Sequence, residues 1–455
     1  MPRTREVFLC KSCGSVHPRW MGKCPDCGAW DALEPHRADP DAAVAGWSGE
    51  AAPEAVPLDR IEDSVLPRLS TGIGELDRVL GGAEPGARGL VPGSVVLVGG
   101  APGIGKSTLM LQASARMASR GERVLYVASE ESAQQVRLRA SRLDAAGPNL
   151  FVLSETNLPR ILEQTQKLRP RAVVIDSVQM VHVPSVEALP GSLPQLRRCC
   201  AELVAMAKTS GIGVVLVGHA TKDGRLAGPR LVEHLVDAVL QFEGDRYHAN
   251  RVVRAVKNRF GTTMEIGIFE MGEQGLRELP EGAGIPAQAE RPGPGSVVCP
   301  AVSGTRSMLV EVQALTATGF LGAAKRKASG LDPNRLAMVV AVLEQHAEIR
   351  LADRDLFASV VGGVRVLDPG ADLALLLAIA GAQLRRGIGP GTVGFGEIGL
   401  GGEVRPVAGA EGRLREAARM GYTRAIVPHG LKVRPPKGIE IDAVRTIGAA
   451  IERLG

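Results

Sequence analysis

The stretch that most constrains the fold is Gly99-Gly100-Ala101-Pro102-Gly103-Ile104-Gly105-Lys106-Ser107-Thr108. It sets Gly100, Gly105, Lys106 and Ser107 in the pattern G-x-x-x-x-G-K-[ST]. The flanks agree with it. Ser94 to Val98 is apolar and β-branched, as a short buried parallel strand should be. Thr108 to Arg120 spaces Leu109, Met110, Ala113 and Met117 along one helix face. Strand, glycine loop and helix in that order aim backbone N–H groups and a helix N-terminus at a phosphate chain. A chance match is the alternative in a chain with 56 glycines, but pattern and flanks together argue against it.

The chain has 455 residues, enough for about three domains. Hydrophobic residues make up 45% and aromatics only 3%, so its cores must rest on Leu, Val, Ile and Ala. A net charge of +5 permits a polyanionic partner without requiring one. Met1-Pro2-Arg3-Thr4-Arg5 leads into no long apolar run, and no stretch is long enough for a membrane span. The expectation is a cytoplasmic protein without membrane contact. Of seven cysteines, four form two C-x-x-C pairs, which in that compartment read as metal ligands rather than disulfides.

Those pairs are Cys10-Lys11-Ser12-Cys13 and Cys24-Pro25-Asp26-Cys27, with Gly14 and Gly28 beside them. Two such knuckles facing each other offer four sulfur ligands, suited to a tetrahedral, structural Zn²⁺. An iron–sulfur cluster is the minor alternative. Trp20 and Trp30 flank the second pair and are expected to cover the module, with base stacking as the alternative for an exposed ring. Glu34 to Pro57 is rich in Ala, Pro, Asp and Gly without periodicity, which reads as a linker. Cys199, Cys200 and Cys299 lack metal spacing and are expected in cores.

Past the glycine loop, Val124 to Ala128 reads as a second strand and ends in Ser129-Glu130-Glu131-Ser132. Carboxylates at the carboxyl end of a parallel strand lie on the ligand side of such a sheet. Glu130 is the candidate for orienting or deprotonating a water, with Glu131 as the alternative, and helix capping is the other use of such a pair. Gln134 to Arg142 reads as a helix whose Arg137, Arg139 and Arg142 form a solvated face. Ala172-Val173-Val174-Ile175-Asp176 lies about 70 residues after Lys106, room for two intervening strand–helix units, and Asp176 is the candidate Mg²⁺ carboxylate. Gly213 to Gly218 is another strand, tipped by His219, either a phosphate sensor or a structural histidine. Val183 to Arg198 and Thr221 to Arg230 carry cations among glycine and proline; they are candidate channel-lining loops or ordinary surface loops. Alternation in Asp237 to Phe242 and His248 to Ala255 leads to Lys257-Asn258-Arg259-Phe260-Gly261, either a solvated hairpin tip or cationic fingers for a neighbouring subunit's phosphate.

The four-cysteine module, the glycine loop and Lys257-Asn258-Arg259-Phe260-Gly261, in this order, resemble the bacterial RadA (Sms) family across essentially the whole chain. The resemblance implies a RecA- and DnaB-like ATPase core that uses ATP and Mg²⁺. It implies that Glu130 activates water, and that Lys257 and Arg259 act across a subunit interface. It further implies a motor on single-stranded DNA in recombinational repair, driving branch migration of recombination intermediates as a homo-oligomer, expected to be a hexameric ring, beside a RecA-type recombinase.

After a Pro- and Gly-rich linker, the remainder reads as α+β, with strands at Ser307–Leu315, Val393–Gly399 and Arg424–Pro428 and helices at Asn334–Gln345, Ala371–Ala382 and Glu411–Met420. Gly394 to Val407 with the following helix resembles the proteolytic domain of the Lon family. That family uses a serine activated by a lysine. The aligned positions here are Gly370 and Glu411, neither of which can act so; Ser303, Ser307 and Ser329 are near in sequence but outside the motif. Lys325, Arg326, Lys327 and Arg335 are candidate phosphate contacts, or a solvated basic face. The expected division is a zinc module at 1–33, a linker at 34–65, a RecA-like α/β core at 66–276, a linker at 277–296 and a Lon-like domain without its dyad at 297–455.

Overall fold

A computed structural model describes residues 5–10, 16–17, 19–25, 28, 30–38, 57, 60, 67–82, 88–218, 231–244, 250–279, 293–304, 306–319, 324–362 and 364–455. The chain separates into two compact units. One comprises residues 1–243, 253–263 and 271–276; the other comprises 244–252, 264–270 and 277–455.

At the start of the first unit, β1 (Arg5–Cys10) pairs antiparallel with both β2 (Val16–His17) and β3 (Leu33–Ala38). β3 therefore continues past residue 33, where the linker was expected to begin.

The rest of the unit alternates strand and helix. α1 (Gly74–Leu80) precedes β4 (Val95–Gly100), α2 (Lys106–Ser119), β5 (Val124–Ala128), α3 (Ala133–Arg142), β6 (Leu150–Leu153) and α4 (Leu158–Leu168). Then come β7 (Ala172–Asp176), α5 (Leu193–Ser210), β8 (Gly213–Val217), α6 (Leu231–Leu235) and β9 (Ala238–Glu243); β10 (Asn250–Asn258), β11 (Ile266–Gly272) and β12 (Gly275–Glu278) follow, their residues divided between the two units. The sheet runs β12-β11-β10-β9-β4-β8-β7-β5-β6, and the strands from β9 to β6 are parallel. Val95, Leu97, Val173, Ile175, Leu203 and Leu216 belong to one buried cluster on this sheet. Val96, Val98 and Val174 point the other way, toward Met110, Ala113 and Met117 of α2. Both faces are thus covered, which is why these strands read as continuous apolar runs rather than alternating ones. The carboxyl ends of β4, β5, β7 and β8 share one edge, as a glycine loop feeding a helix requires.

The second unit holds β13 (Ser296–Ser303), β14 (Arg306–Thr318), β15 (Arg326–Ser329), α7 (Pro333–Ala347), β16 (Arg354–Val360), α8 (Asp372–Leu384), β17 (Thr392–Gly394), β18 (Glu397–Ile398), β19 (Val404–Arg405), α9 (Ala410–Arg419), β20 (Arg424–Pro428), β21 (Glu440–Val444) and α10 (Ile447–Ile451). Its sheet runs β15-β16-β14-β13-β17-β20-β21. Leu373 to Ala380 on α8 are all buried, the behaviour expected of a helix apolar around its whole circumference. Among the described residues, no helix is long and apolar enough to cross a membrane.

Candidate active site

The glycine loop joins β4 to α2, and its shape is set by glycine. Gly105 has φ 115°, which disfavours any residue with a side chain, and a Cβ there would lie 2.6 Å from Met271 Cε. Met271 and Leu276 thus press on the loop, while Gln112 on α2 holds β12 by accepting from Leu276 N at 3.0 Å. Lys106 is buried and donates to Gly100 O at 2.8 Å and Ala101 O at 3.0 Å. Burial lowers its pKa, and the charges of Asp176 and Glu130 partly offset this. Ser107 and Thr108 open α2 behind it, half-buried.

Asp176 ends β7, level in register with Val217 of β8 and Ala128 of β5. Its Oδ2 accepts from the Tyr126 hydroxyl at 2.5 Å. Burial and the Asp176 charge push that phenol well above 10, so it stays a donor. Arg139 Nη2 donates to the same Tyr126 oxygen at 3.1 Å, lies 3.8 Å from Asp176 Oδ2 and pairs with Glu131 at 3.0 Å. Arg139 is only 16% exposed and faces the strand tips, which corrects the expectation of a solvated arginine face; Arg137 and Arg142 remain exposed.

The two glutamates separate by partner. Glu131 is committed to Arg139, whereas Glu130 accepts a hydrogen bond from Ser177 Oγ and lies close enough to influence Lys106. Neither caps the next helix: Ser132 does, in a reciprocal box with Gln135. Lys106, Asp176 and Glu130 are thus gathered on one edge of the sheet.

Lys257 and Arg259 lie at the end of β10 and are tied to their own chain. Lys257 Nζ donates to Glu233 O at 2.8 Å, His234 O at 3.3 Å and Val236 O at 2.8 Å, around the end of α6. Burial lowers its pKa, and the neighbouring Arg259 adds to this. Arg259 pairs with Asp237 at 3.3 Å, yet its side chain stays 54% exposed. Asn258 donates to Val79 O and Leu80 O at the end of α1. The segment 183–198 is more organised than its composition suggests: Gln195 bonds Val183, Val186 and Ala188, and Arg197 and Arg198 belong to α5. His219 and the loop 221–230 lie outside the described residues.

In the amino-terminal ribbon, Cys10 and Cys24 are buried, with His17 Nε2 3.6 Å from Cys24 Sγ; Cys13 and Cys27 lie outside the described residues. Two buried thiols at the base of a small three-stranded sheet suit the expected metal, and its other two sulfurs would come from those partners. Trp20 and Trp30 do not cover the module: they are 54% and 75% exposed.

In the second unit the position aligned with the Lon serine is filled. A Cβ on Gly370 would lie 2.6 Å from Arg413 Nη1. Arg413 is 1% exposed. It pairs with Asp368 at 2.5 and 2.9 Å, donates to Pro300 O at 2.8 Å and Ala408 O at 3.0 Å, and sits 5.5 Å from the centre of the Phe395 ring. Burial raises the Asp368 pKa, but Arg413 and the N–H groups of Val302 and Gly370 outweigh it and hold the carboxyl low. Glu411 is exposed and pairs with Arg415 at 2.7 Å. Of the basic candidates, Lys325, Arg326 and Lys327 are exposed, while Arg335 is committed to Asp372 and Glu397.

This geometry can be set beside known proteins. The "AAA domain" family matches residues 83–225, and the "Rubredoxin metal binding domain" family matches residues 8–35. The chain is 44% identical over 458 residues to the DNA repair protein RadA of Bacillus subtilis, covering 99% of each chain. It is 43% identical over 456 residues to the DNA repair protein RadA of Escherichia coli, covering 98% of each. The chain belongs to the RadA family. It is a RecA-like P-loop ATPase of mixed α/β fold with an amino-terminal metal ribbon, as the sequence led one to expect. A KaiC-like protein from Pyrococcus horikoshii is a more distant structural neighbour, 21% identical with a TM-score of 0.40, covering 47% of this chain and 100% of that one. Tyr126 and Arg139, which no motif marks, join Asp176 at the sheet edge.

Proposed function

We propose that the chain is a DNA repair motor: an ATPase stimulated by single-stranded DNA that drives branch migration as a ring of like subunits. The observation that carries this reading is the gathering of Lys106, Asp176 and Glu130 at one sheet edge, with the cationic tip of β10 in the same unit. In this reading residues 99–108 wrap the phosphates, and Lys106 exchanges Gly100 O and Ala101 O for phosphate oxygens. Ser107 and Asp176 hold Mg²⁺, which would neutralise developing charge on the transferred phosphoryl group. Glu130 orients the attacking water, a role supported by its place beside Ser177 and Lys106, whereas Glu131 is paired with Arg139.

Lys257 and Arg259 complete the site of the next subunit. Arg259 is the readier of the two, because it is exposed and gives up one ion pair, whereas Lys257 must leave three carbonyls. Zn²⁺ on Cys10, Cys13, Cys24 and Cys27 holds the ribbon, and a RecA-type recombinase supplies the branched substrate. The second unit is a scaffold rather than a peptidase, a reading supported by the guanidinium lodged against Gly370.

The deciding experiment measures ATP hydrolysis with and without single-stranded DNA, for the native chain and Lys106→Ala. DNA should raise the native rate, and Lys106→Ala should abolish it. A native rate indifferent to DNA would remove the motor from this reading and leave a switch-like ATPase.

A further inference from the structure

Two of the three tryptophans in the whole chain stand exposed on the amino-terminal ribbon. Lys23 and Trp30 face each other across an antiparallel bridge, closed by Asp31 N donating to Gly22 O at 2.8 Å. This hairpin carries Cys24 into the ribbon and sets Gly22 near both indoles. A Cβ at Gly22 would lie 3.9 Å from Trp20 Cη2 and 4.0 Å from Trp30 Cζ3. The glycine therefore leaves room beside the edges of both indoles. Exposed cations border it: Lys23 lies 5.6 Å from the centre of the Trp30 ring, and Arg19 adjoins Trp20 in the chain.

Two indoles, a floor without a side chain and flanking cations match one chemistry well. A nucleobase offers a flat π-face to each ring, and the adjoining phosphates meet the ammonium and guanidinium groups. A duplex keeps its bases stacked and presents no free face. We propose that Trp20, Gly22 and Trp30 form a stacking slot for one base of single-stranded DNA, with Lys23 and Arg19 on the flanking phosphates. This deepens the motor reading by giving the strand a contact on the ribbon.

The tryptophans supply the assay. In full-length protein carrying Trp47→Phe, only Trp20 and Trp30 emit as indoles. Oligothymidylate should quench that emission without ATP, and a strand of the same length lacking bases should not. Gly22→Leu, which fills the slot, should abolish quenching while zinc content stays at the native level. Trp20→Ala with Trp30→Ala should weaken oligothymidylate binding, read by anisotropy of a labelled strand, about tenfold, from the worth of one stacked base. The paired Trp→Phe variants should restore most of it. Equal quenching by the base-free strand, native quenching in Gly22→Leu, or no response to oligothymidylate whatever protein binds the ribbon would each overturn the proposal. Quenching with a DNA-indifferent ATPase rate sinks the motor and keeps the slot. A DNA-stimulated rate without quenching does the reverse.

Discussion

Putting a serine back at position 370 should damage the second unit rather than awaken it. The Gly370 Cβ position lies 2.6, 2.9 and 3.0 Å from Arg413 Nη1, Cζ and Nη2. Ordinary van der Waals contact starts near 3.4 Å, so the guanidinium must retreat by most of an ångström. It is held by Pro300 O at 2.8 Å, Ala408 O at 3.0 Å and both Asp368 oxygens, so retreat breaks or stretches charge-assisted bonds in a buried site. Losing two such bonds at about 1.5–3 kcal/mol each gives roughly 3–6 kcal/mol, close to the scale on which a buried ion pair loses a partner. For a unit of this size that lowers its melting temperature by about 10 °C.

Calorimetry of the full chain should show the transition of the second unit moving and that of the ATPase unit staying in place. Gly370→Ala should cost about as much as Gly370→Ser, because the clash is with Cβ and not the hydroxyl. Combined with Arg413→Ala, either change should cost less than the two single effects together, since the clash then has no partner. A Gly370→Ser protein with native melting, or one that hydrolyses casein, would refute the reasoning.

Four further outcomes are expected. Tyr126→Phe removes the donor to Asp176 and should lower turnover about tenfold, on the scale of one hydrogen bond to a charged group, and raise the Mg²⁺ needed for half-maximal hydrolysis; an unchanged Mg²⁺ titration refutes it. Glu130→Gln should cost about 10²–10⁴ in hydrolysis with nucleotide binding retained, and Glu131→Gln far less; a reversal would make Glu131 the water-orienting residue. Lys257→Ala should spare ATP and DNA binding but block branch migration, with a slight loss of stability from the freed carbonyls around the end of α6; normal branch migration removes the finger role. Asp368 is held below its ordinary pKa of about 3.9, so its contribution is full above that value and lost as pH falls through its folded pKa. Acid unfolding followed by circular dichroism should show Asp368→Asn lowering stability at neutral pH and flattening the dependence below about pH 4.

Much of the ATPase unit was legible because buried parallel strands announce themselves. Val124–Ala128, Ala172–Asp176 and Gly213–Val217 are strands at the expected residues, and two strand–helix units do separate Lys106 from Asp176. The misses were charged residues turned inward. Val136 and Ala140 are the buried residues of α3, and Arg139 lies one turn on from Val136. Ala410, Leu414 and Ala417 are buried on α9, and Arg413 belongs to that stripe. A cation at a stripe position was the available signal. Its partners, Asp176 and Asp368, are distant in sequence, and no periodicity reveals them. The tryptophans misled for the opposite reason: in so small a ribbon the buried positions go to Cys10, Cys24, Ala32 and Leu33.

Lys106 rests on two carbonyls of its own loop, Glu130 on the hydroxyl of Ser177 and Lys257 on three carbonyls around the end of α6. Each of these three side chains thus has a neutral hydrogen-bond partner in its own chain. Engaging nucleotide, water or the adjacent subunit then means trading one polar contact for another, with few new ones made. Such swaps are close to thermoneutral, so the working state lies near in energy and the idle state is easily regained. A machine built this way idles without seizing, and its throttle is whatever offers these three side chains a charged partner in place of a neutral one.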